Sequence, residues 1–260
     1  MLEILLLSLI QSLTEFLPIS SSGHLILTQR LLHTNNGLLL DILLHFGTLM
    51  AVVFYFYQDI WTMTKDVFTK KMNCPLFWKL CIASAPALII GFLLHAHIES
   101  LLHHAWIIAT TLIVFGIVLW LVDKYAPRSK KLSQMTYSQA LYIGLAQSIA
   151  LIPGTSRSGI TITCARCFGF NRTDSAKFSM LLSIPVIFLG ALYTLWKARA
   201  MINTAGLPLS SVLLAVFSAG VFGWLVVCFL MNWVKRVSFA LFAVYRIVLG
   251  LFIFYILWGY

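Results

Sequence analysis

The stretch "IQSLTEFLPISSSGHLIL", residues 10–27, interrupts an apolar segment with the carboxylate of Glu15, a proline, three consecutive serines and a histidine. A second stretch, "LAQSIALIPGTSRSGITI" at residues 145–162, has the same character. At a constant offset of 136, Gln11 falls on Gln147, Ser12 on Ser148, Ser20 on Ser156, Ser22 on Ser158, Gly23 on Gly159 and Ile26 on Ile162. One polar device occurs twice. The chain therefore reads as a single membrane domain, 1–260, with repeat halves of about 1–122 and 138–258 joined by a basic loop at 123–137.

The membrane assignment rests on composition. Of 260 residues, 60% are hydrophobic and 10% charged, whereas soluble domains carry about a quarter charged residues. The net charge of +10 suits cytoplasmic loops facing anionic headgroups, and no nucleic-acid partner is expected. The opening "MLEILLLSLI" has no basic n-region and no small-residue cleavage site, so it does not read as a signal peptide. The five cysteines are odd in number and lie mostly in apolar segments; Cys164 and Cys167 form a lone C-x-x-C, and the expected role is that of small buried hydrophobes.

A helix needs about 20 apolar residues to cross the hydrocarbon core. Six stretches qualify: 38–57, 79–95, 104–122, 178–197, 208–231 and 238–258. Residues 2–29 and 139–166 are long enough but are broken mid-way by polar, Pro- and Gly-containing tracts. Such segments fit re-entrant hairpins, a half-helix in and a half-helix out. The expected fold is an all-α polytopic membrane protein, with six full spanning helices plus two re-entrant helical hairpins in an inverted-topology repeat. Inversion follows from counting, because a re-entrant hairpin adds no crossing and three full spans separate the two. The hairpins then open from opposite faces, with their tips meeting near the midplane. One side collects thirteen basic residues, among them Lys65, Lys124, Lys130, Arg166 and Arg172, against Arg30, Lys197 and Arg199 on the other. This positive-inside bias places the first hairpin and both termini outside.

The chemistry lies in the two tracts. In "PGTSRSG" (153–159), Gly154 and Gly159 let the backbone approach a ligand, and Thr155, Ser156 and Ser158 add hydroxyls. Arg157 supplies a planar, permanently charged fork suited to phosphate, and a helix starting here would aim its N-terminal amides at the same point. Without the Gly-Lys-Ser/Thr ending of a nucleotide P-loop, ATP and GTP are not expected. In the first tract Gln11 and Glu15 share a helix face, followed by Ser20, Ser21, Ser22, Gly23 and His24. A carboxylate beside a phosphate calls for a divalent cation between them, Mg2+ before Ca2+. A serine or the histidine serves as nucleophile or general acid/base. The sum is a phosphoryl-transfer site in a bilayer.

These residues resemble a known family. "QSLTEFLPISSSGHL" is similar to the Glu/Gln-x-x-x-Glu motif and following Ser-Gly-His of the bacterial undecaprenyl-pyrophosphate phosphatases, and "PGTSRSG" to their second signature. "DILLHFGTLMAVVFY" (41–55) and "KFSMLLSIPVIFLGALY" (177–193) resemble the segments that follow. Many members carry glutamate where this chain has Gln11. The resemblance implies an integral membrane hydrolase of the bacterial inner membrane. It would remove the terminal phosphate of undecaprenyl pyrophosphate, recycle the lipid carrier for peptidoglycan and other envelope polymers, and be linked to bacitracin resistance. It assigns Glu15 and Gln11 to metal and catalysis, Ser21 and His24 to the nucleophile or acid/base role, and Arg157 with Ser156 to the pyrophosphate. The expected partners are a prenyl pyrophosphate lipid and the bilayer; monomer and homodimer both stay open.

Other signals are weaker. The histidines of "HAHIESLLHHAW" (95–106), including His97 and His103, read as a wet loop. Asp41 and His45 either line the cleft or bond each other, and mid-span Arg246 reads as a buried structural arginine. Trp61, Trp78, Trp106, Trp120, Trp258 and Tyr260 read as interfacial anchors. Two rival readings are a lipid transporter or flippase, which an inverted repeat with a midplane anion site also fits, and a non-catalytic lipid-binding protein. The set Glu15, Ser21 and His24 separates them from an enzyme, since a carrier gains little from a carboxylate beside its anion.

Overall fold

The structure is a computed structural model describing residues 1–21, 24, 38–69, 74–94, 101, 104–202 and 208–258. Among the described residues there are ten α-helices and no strand; the sheet-like pairing is a single bridge between Lys130 and Phe170. The expectation of an all-helical membrane protein is met. Residues 22–23, 25–37 and the histidine loop at 95–100, His97 included, fall outside the described residues, as do His103 and Tyr260.

Helix α1 (Leu2–Phe16) ends where Leu17 turns extended, at ψ 144°, because the residue before a proline is pushed out of the helical region and Pro18 follows. The apolar helix α2 (Leu38–Tyr55) does not run on to residue 57. It bends by 76° into α3 (Tyr57–Thr69), whose Asp59, Lys65 and Asp66 suit an interface rather than a hydrocarbon core, and α3 buries no residue. Phe56, 4% exposed, plugs the corner. Next come α4 (Pro75–Leu93) and α5 (Ala105–Tyr125).

Helix α6 (Tyr137–Ile149) starts on a capping box in which Thr136 and Gln139 each satisfy the other's backbone N–H. A turn leads into α7 (Arg157–Cys167), capped by Ser156, whose Oγ accepts from Gly159 N at 3.1 Å. So the second interrupted segment folds as helix, turn, helix. The chain ends with α8 (Arg172–Ile202), α9 (Leu209–Trp233) and α10 (Ala240–Trp258). Among the described residues, five helices (α4, α5, α8, α9, α10) are long and apolar enough to cross a bilayer, and the bent α2–α3 pair raises the number to six. Large side chains such as Phe217, 72% exposed, point outward from them, as lipid contact requires.

Packing pairs α1 with α9, α2 with α9, α4 with α6, and α5 with α10. Small residues let the helices meet: a Cβ on Gly144 of α6 would collide with the backbone of Ala83 in α4. Two polar bonds reinforce these contacts, Ser12 Oγ to the Ala219 carbonyl at 3.1 Å and Gln147 Nε2 to the Ala83 carbonyl at 3.4 Å.

At the end of the bundle bearing the 123–131 loop, Arg166 is fully buried, although in sequence it reads as one more loop cation. Its guanidinium donates to the carbonyls of Ala126, Pro127 and Phe170 and pairs with Asp123. Asp123 also takes both forks of Arg172 and the backbone N–H of Phe239 at 3.0 Å. One carboxylate thus staples α5, α7, α8 and the start of α10.

Candidate active site

The breaks of the two interrupted segments meet inside the protein, and a cavity of about 660 Å3 opens beside them. Its polar floor is formed by Glu15, Ser20, Ser21, Gln147, Ser156 and Arg157. Asp41 and His45 of α2 stand on one wall; Leu88 and Phe92 of α4 and Val186, Ile187 and Leu189 of α8 make apolar walls.

Glu15 and Arg157, 142 positions apart, form the central contact, with Arg157 Nη2 donating to Glu15 Oε1 at 2.8 Å. The other fork of Arg157, Nη1, donates to the Ser179 carbonyl at 3.2 Å. Glu15 Oε2 accepts from Gln11 Nε2 at 3.3 Å and lies 3.7 Å from His45 Nε2. Ser21 lines the cavity beside the same carboxylate. A buried pair of this kind is weak evidence for stability, but removing one partner leaves an uncompensated charge at a cost of about 3–5 kcal/mol.

Local backbone geometry explains how Arg157 comes to face the cavity. Gly154 has φ 87° and Ser156 φ 69°, both in the turn that leads into α7 and sets Arg157 on the cavity surface. A Cβ at Gly154 would lie 2.6 Å from the Ile108 carbonyl. Thr111 Oγ1 of α5 donates to the Pro153 carbonyl at 2.6 Å, and Ser158 Oγ donates to the Leu17 carbonyl at 3.1 Å, tying one turn to the other. With Ser156 and Arg157 at its N-terminus, α7 also presents its positive dipole end to the cavity.

The sequence-predicted residues divide by position. Glu15, Ser20, Ser21, Ser156 and Arg157 reach the cavity surface. Gly154 and Thr155 in the turn, and Ser158 and Gly159 at the start of α7, are buried behind it. Gln11 is buried beneath Glu15, with its Oε1 unpartnered. His24 is turned toward α10, its Nε2 2.6 Å from Tyr245 Oη and its Nδ1 2.7 Å from the Ser20 carbonyl. Ser22 and Gly23 lie outside the described residues. Asp41 and His45, which the sequence leaves undecided, line the cavity while His45 Nδ1 also bonds the Asp41 carbonyl at 2.8 Å. Gln147 was legible in sequence only as the repeat mate of Gln11, yet it stands on the floor.

Fold and site together define a multi-pass membrane protein whose helices enclose a cavity floored by Arg157, Glu15 and serines. The chain belongs to the family described as "Bacitracin resistance protein BacA", which it matches over residues 4–252. It is 43% identical over 258 residues to an undecaprenyl-diphosphatase of Alteromonas mediterranea, covering 95% of each chain. It is 40% identical over 263 residues to the enzyme of that name from Saccharophagus degradans, covering 99% of this chain and 98% of the relative. With the Campylobacter curvus undecaprenyl-diphosphatase it shares 41% over 262 residues, 98% of each.

Proposed function

We propose that this protein is a membrane hydrolase that converts undecaprenyl pyrophosphate into undecaprenyl phosphate and inorganic phosphate. The observation that carries this reading is the cavity itself, in which a floor bearing Arg157, Glu15 and three serines adjoins apolar walls. An amphiphile fits that contrast, with its pyrophosphate on the floor and its isoprenoid chain along α4 and α8 toward lipid, where Phe92 and Leu189 are exposed.

Arg157, with the α7 N-terminus and Ser156, holds and neutralises the phosphate oxygens. Ser21 is the attacking group: its hydroxyl lies beside Glu15, which takes the proton. Its Oγ displaces the lipid phosphate by breaking the bridging P–O bond, and water then releases the phosphate from Ser21. Both ring nitrogens of His24 are already engaged, which suits orientation of the turn better than attack. Glu15, the unpartnered oxygen of buried Gln11 and nearby Asp41 are hard-oxygen donors that suit Mg2+, Ca2+ being the other candidate. Gln11 and Glu15 would hold the ion, and when bound it would add charge neutralisation at the phosphate.

The protein has six crossings and two re-entrant hairpins, with halves of about 1–122 and 138–258 inverted relative to each other. Support comes from the crosswise packing: α1 on α9 is matched by α6 on α4, and Ala83 and Ala219, which accept the Gln147 and Ser12 bonds, are themselves 136 apart. Loop charge supports an orientation with the first hairpin, the cavity mouth and both termini on the outer face. The site is built within one chain, so activity needs no homodimer. The repeat also suits a lipid carrier, which is the second reading.

The test is phosphate release from a prenyl pyrophosphate by purified protein in detergent, with Mg2+ or EDTA, beside Glu15→Ala and Arg157→Ala. Metal-dependent release lost in both variants supports the hydrolase. A folded protein that binds the lipid without releasing phosphate supports the carrier.

A further inference from the structure

Tyr245 and Arg246 are consecutive on α10, and each holds a different helix break. Consecutive helical residues project about 100° apart, so one helix can serve two neighbours. Tyr245 stacks on His24 with ring centroids 5.6 Å apart and planes 8° from parallel, its Oη 2.6 Å from Nε2. The Ser20 carbonyl, 2.7 Å from Nδ1, can only accept, so Nδ1 donates and Nε2 of the neutral ring accepts a hydrogen bond from the Tyr245 hydroxyl. Through His24, Tyr245 therefore fixes the carbonyl of Ser20, whose neighbour Ser21 lines the cavity.

Arg246 does the equivalent for the other break. Fully buried, it donates from Nη2 to the carbonyls of Gly154 at 3.2 Å and Thr155 at 2.7 Å, immediately before Ser156 and Arg157. Gly159 leaves the room, since a Cβ there would lie 2.6 Å from Arg246 Nη1. Among the described residues no carboxylate pairs with Arg246, and its Nε and Nη1 have no protein partner. As filler, such a cation is a poor choice, because burying charge without a counter-ion is costly and apolar replacements of buried ions are often neutral or stabilising. What a fork of donors provides and an apolar side chain cannot is a fixed direction for the backbone it grips.

We propose that α10 is a positioning element common to both breaks, in which Tyr245 and Arg246 keep Ser21 and Arg157 in register across the Glu15–Arg157 contact. The inference rests on the hydrolase reading for its kinetic consequences. Neither side chain is among those lining the cavity, so both act through the turns and neither is a catalytic residue.

The experiment uses two conservative variants of the full-length protein. Tyr245→Phe keeps the ring stack and removes only the hydroxyl; Arg246→Lys keeps the charge and removes the fork. Phosphate release is measured for each and for the double variant, together with melting temperature and amide hydrogen exchange at 17–21 and 153–157. Each single change is expected to lower kcat about tenfold by misplacing the reacting groups, with KM altered less than about threefold. The double variant is expected to fall well short of the hundredfold product, because shared register is lost only once. Exchange should rise at 17–21 in Tyr245→Phe and at 153–157 in Arg246→Lys. Multiplicative effects, changes confined to KM, or activity that falls only in step with melting temperature would each overturn the proposal. If the wild-type protein releases no phosphate, it is the hydrolase reading that fails. Exchange then decides the α10 inference alone, upheld by a rise at both turns and refuted without one.

Discussion

Ser20 and Ser156 share a left-handed backbone conformation, with φ 80° and 69°, and among the described residues they are the two non-glycine positions that do so. They are also 136 apart, the offset at which the two polar tracts superpose. A side chain in this region is held there by its surroundings, at about 1–3 kcal/mol of strain each, and such strain gathers at functional sites. In both halves it turns the next residue, Ser21 in one and Arg157 in the other, to the cavity.

Ser156→Gly should separate stability from activity. Glycine relieves the strain of about 1–3 kcal/mol, while exchanging a serine cap for glycine loses only about a few tenths. Denaturation in detergent should show a gain of about 1 kcal/mol or more, together with reduced phosphate release, because the hydroxyl leaves the cavity surface. A less stable variant would mean that the bonds of Ser156 Oγ to Gly159 N and Ser158 Oγ outweigh the strain.

Arg157→Lys should stay severely impaired although its charge is kept. The guanidinium spans Glu15 and the Ser179 carbonyl with separate nitrogens, and an ammonium cannot reproduce that fork. The expected loss in kcat/KM is on the order of 10²-fold, as for removal of one oriented donor at a developing anion. Activity near wild type would show that charge alone suffices.

Asp123→Ala should unfold the end of the bundle away from the chemistry. Arg166, Arg172 and the Phe239 N–H all lose their acceptor, and stranding buried charge costs about 3–5 kcal/mol. The melting temperature should fall sharply. An unchanged melting point would mean that the loop carbonyls alone satisfy Arg166.

Orientation is tested by labelling. In a background lacking the five native cysteines, Gln29→Cys should react with an impermeant thiol reagent in intact cells and Ser129→Cys should not, because the basic residues of the 123–131 loop stay inside. The reverse pattern would invert the topology and place the cavity mouth on the inner face.

Sequence alone determined the membrane class, the places where the chain breaks and the residue types of the site. These are legible because bilayer thickness fixes span length, proline and glycine mark the breaks, and polar residues are too costly inside a bilayer to be there without a role. A helix starting within the second tract is what the structure has in α7, with Ser156 as its cap. The sequence did not show the bend at Phe56, where an apolar helix gives way to a polar one without a proline or glycine to signal it. Nor did it show that Arg166 is buried, because hydropathy cannot see the carbonyls that satisfy it. Only the tertiary structure decided that Glu15 meets Arg157, that Asp41, His45 and Gln147 join them around one cavity, that Gly154, Thr155, Ser158 and Gly159 stand behind its surface, and that Tyr245 and Arg246 grip both breaks. Those relationships join residues up to 221 positions apart. They depend on how close small residues let the helices approach and which way two left-handed serines turn the chain, and no local pattern encodes either.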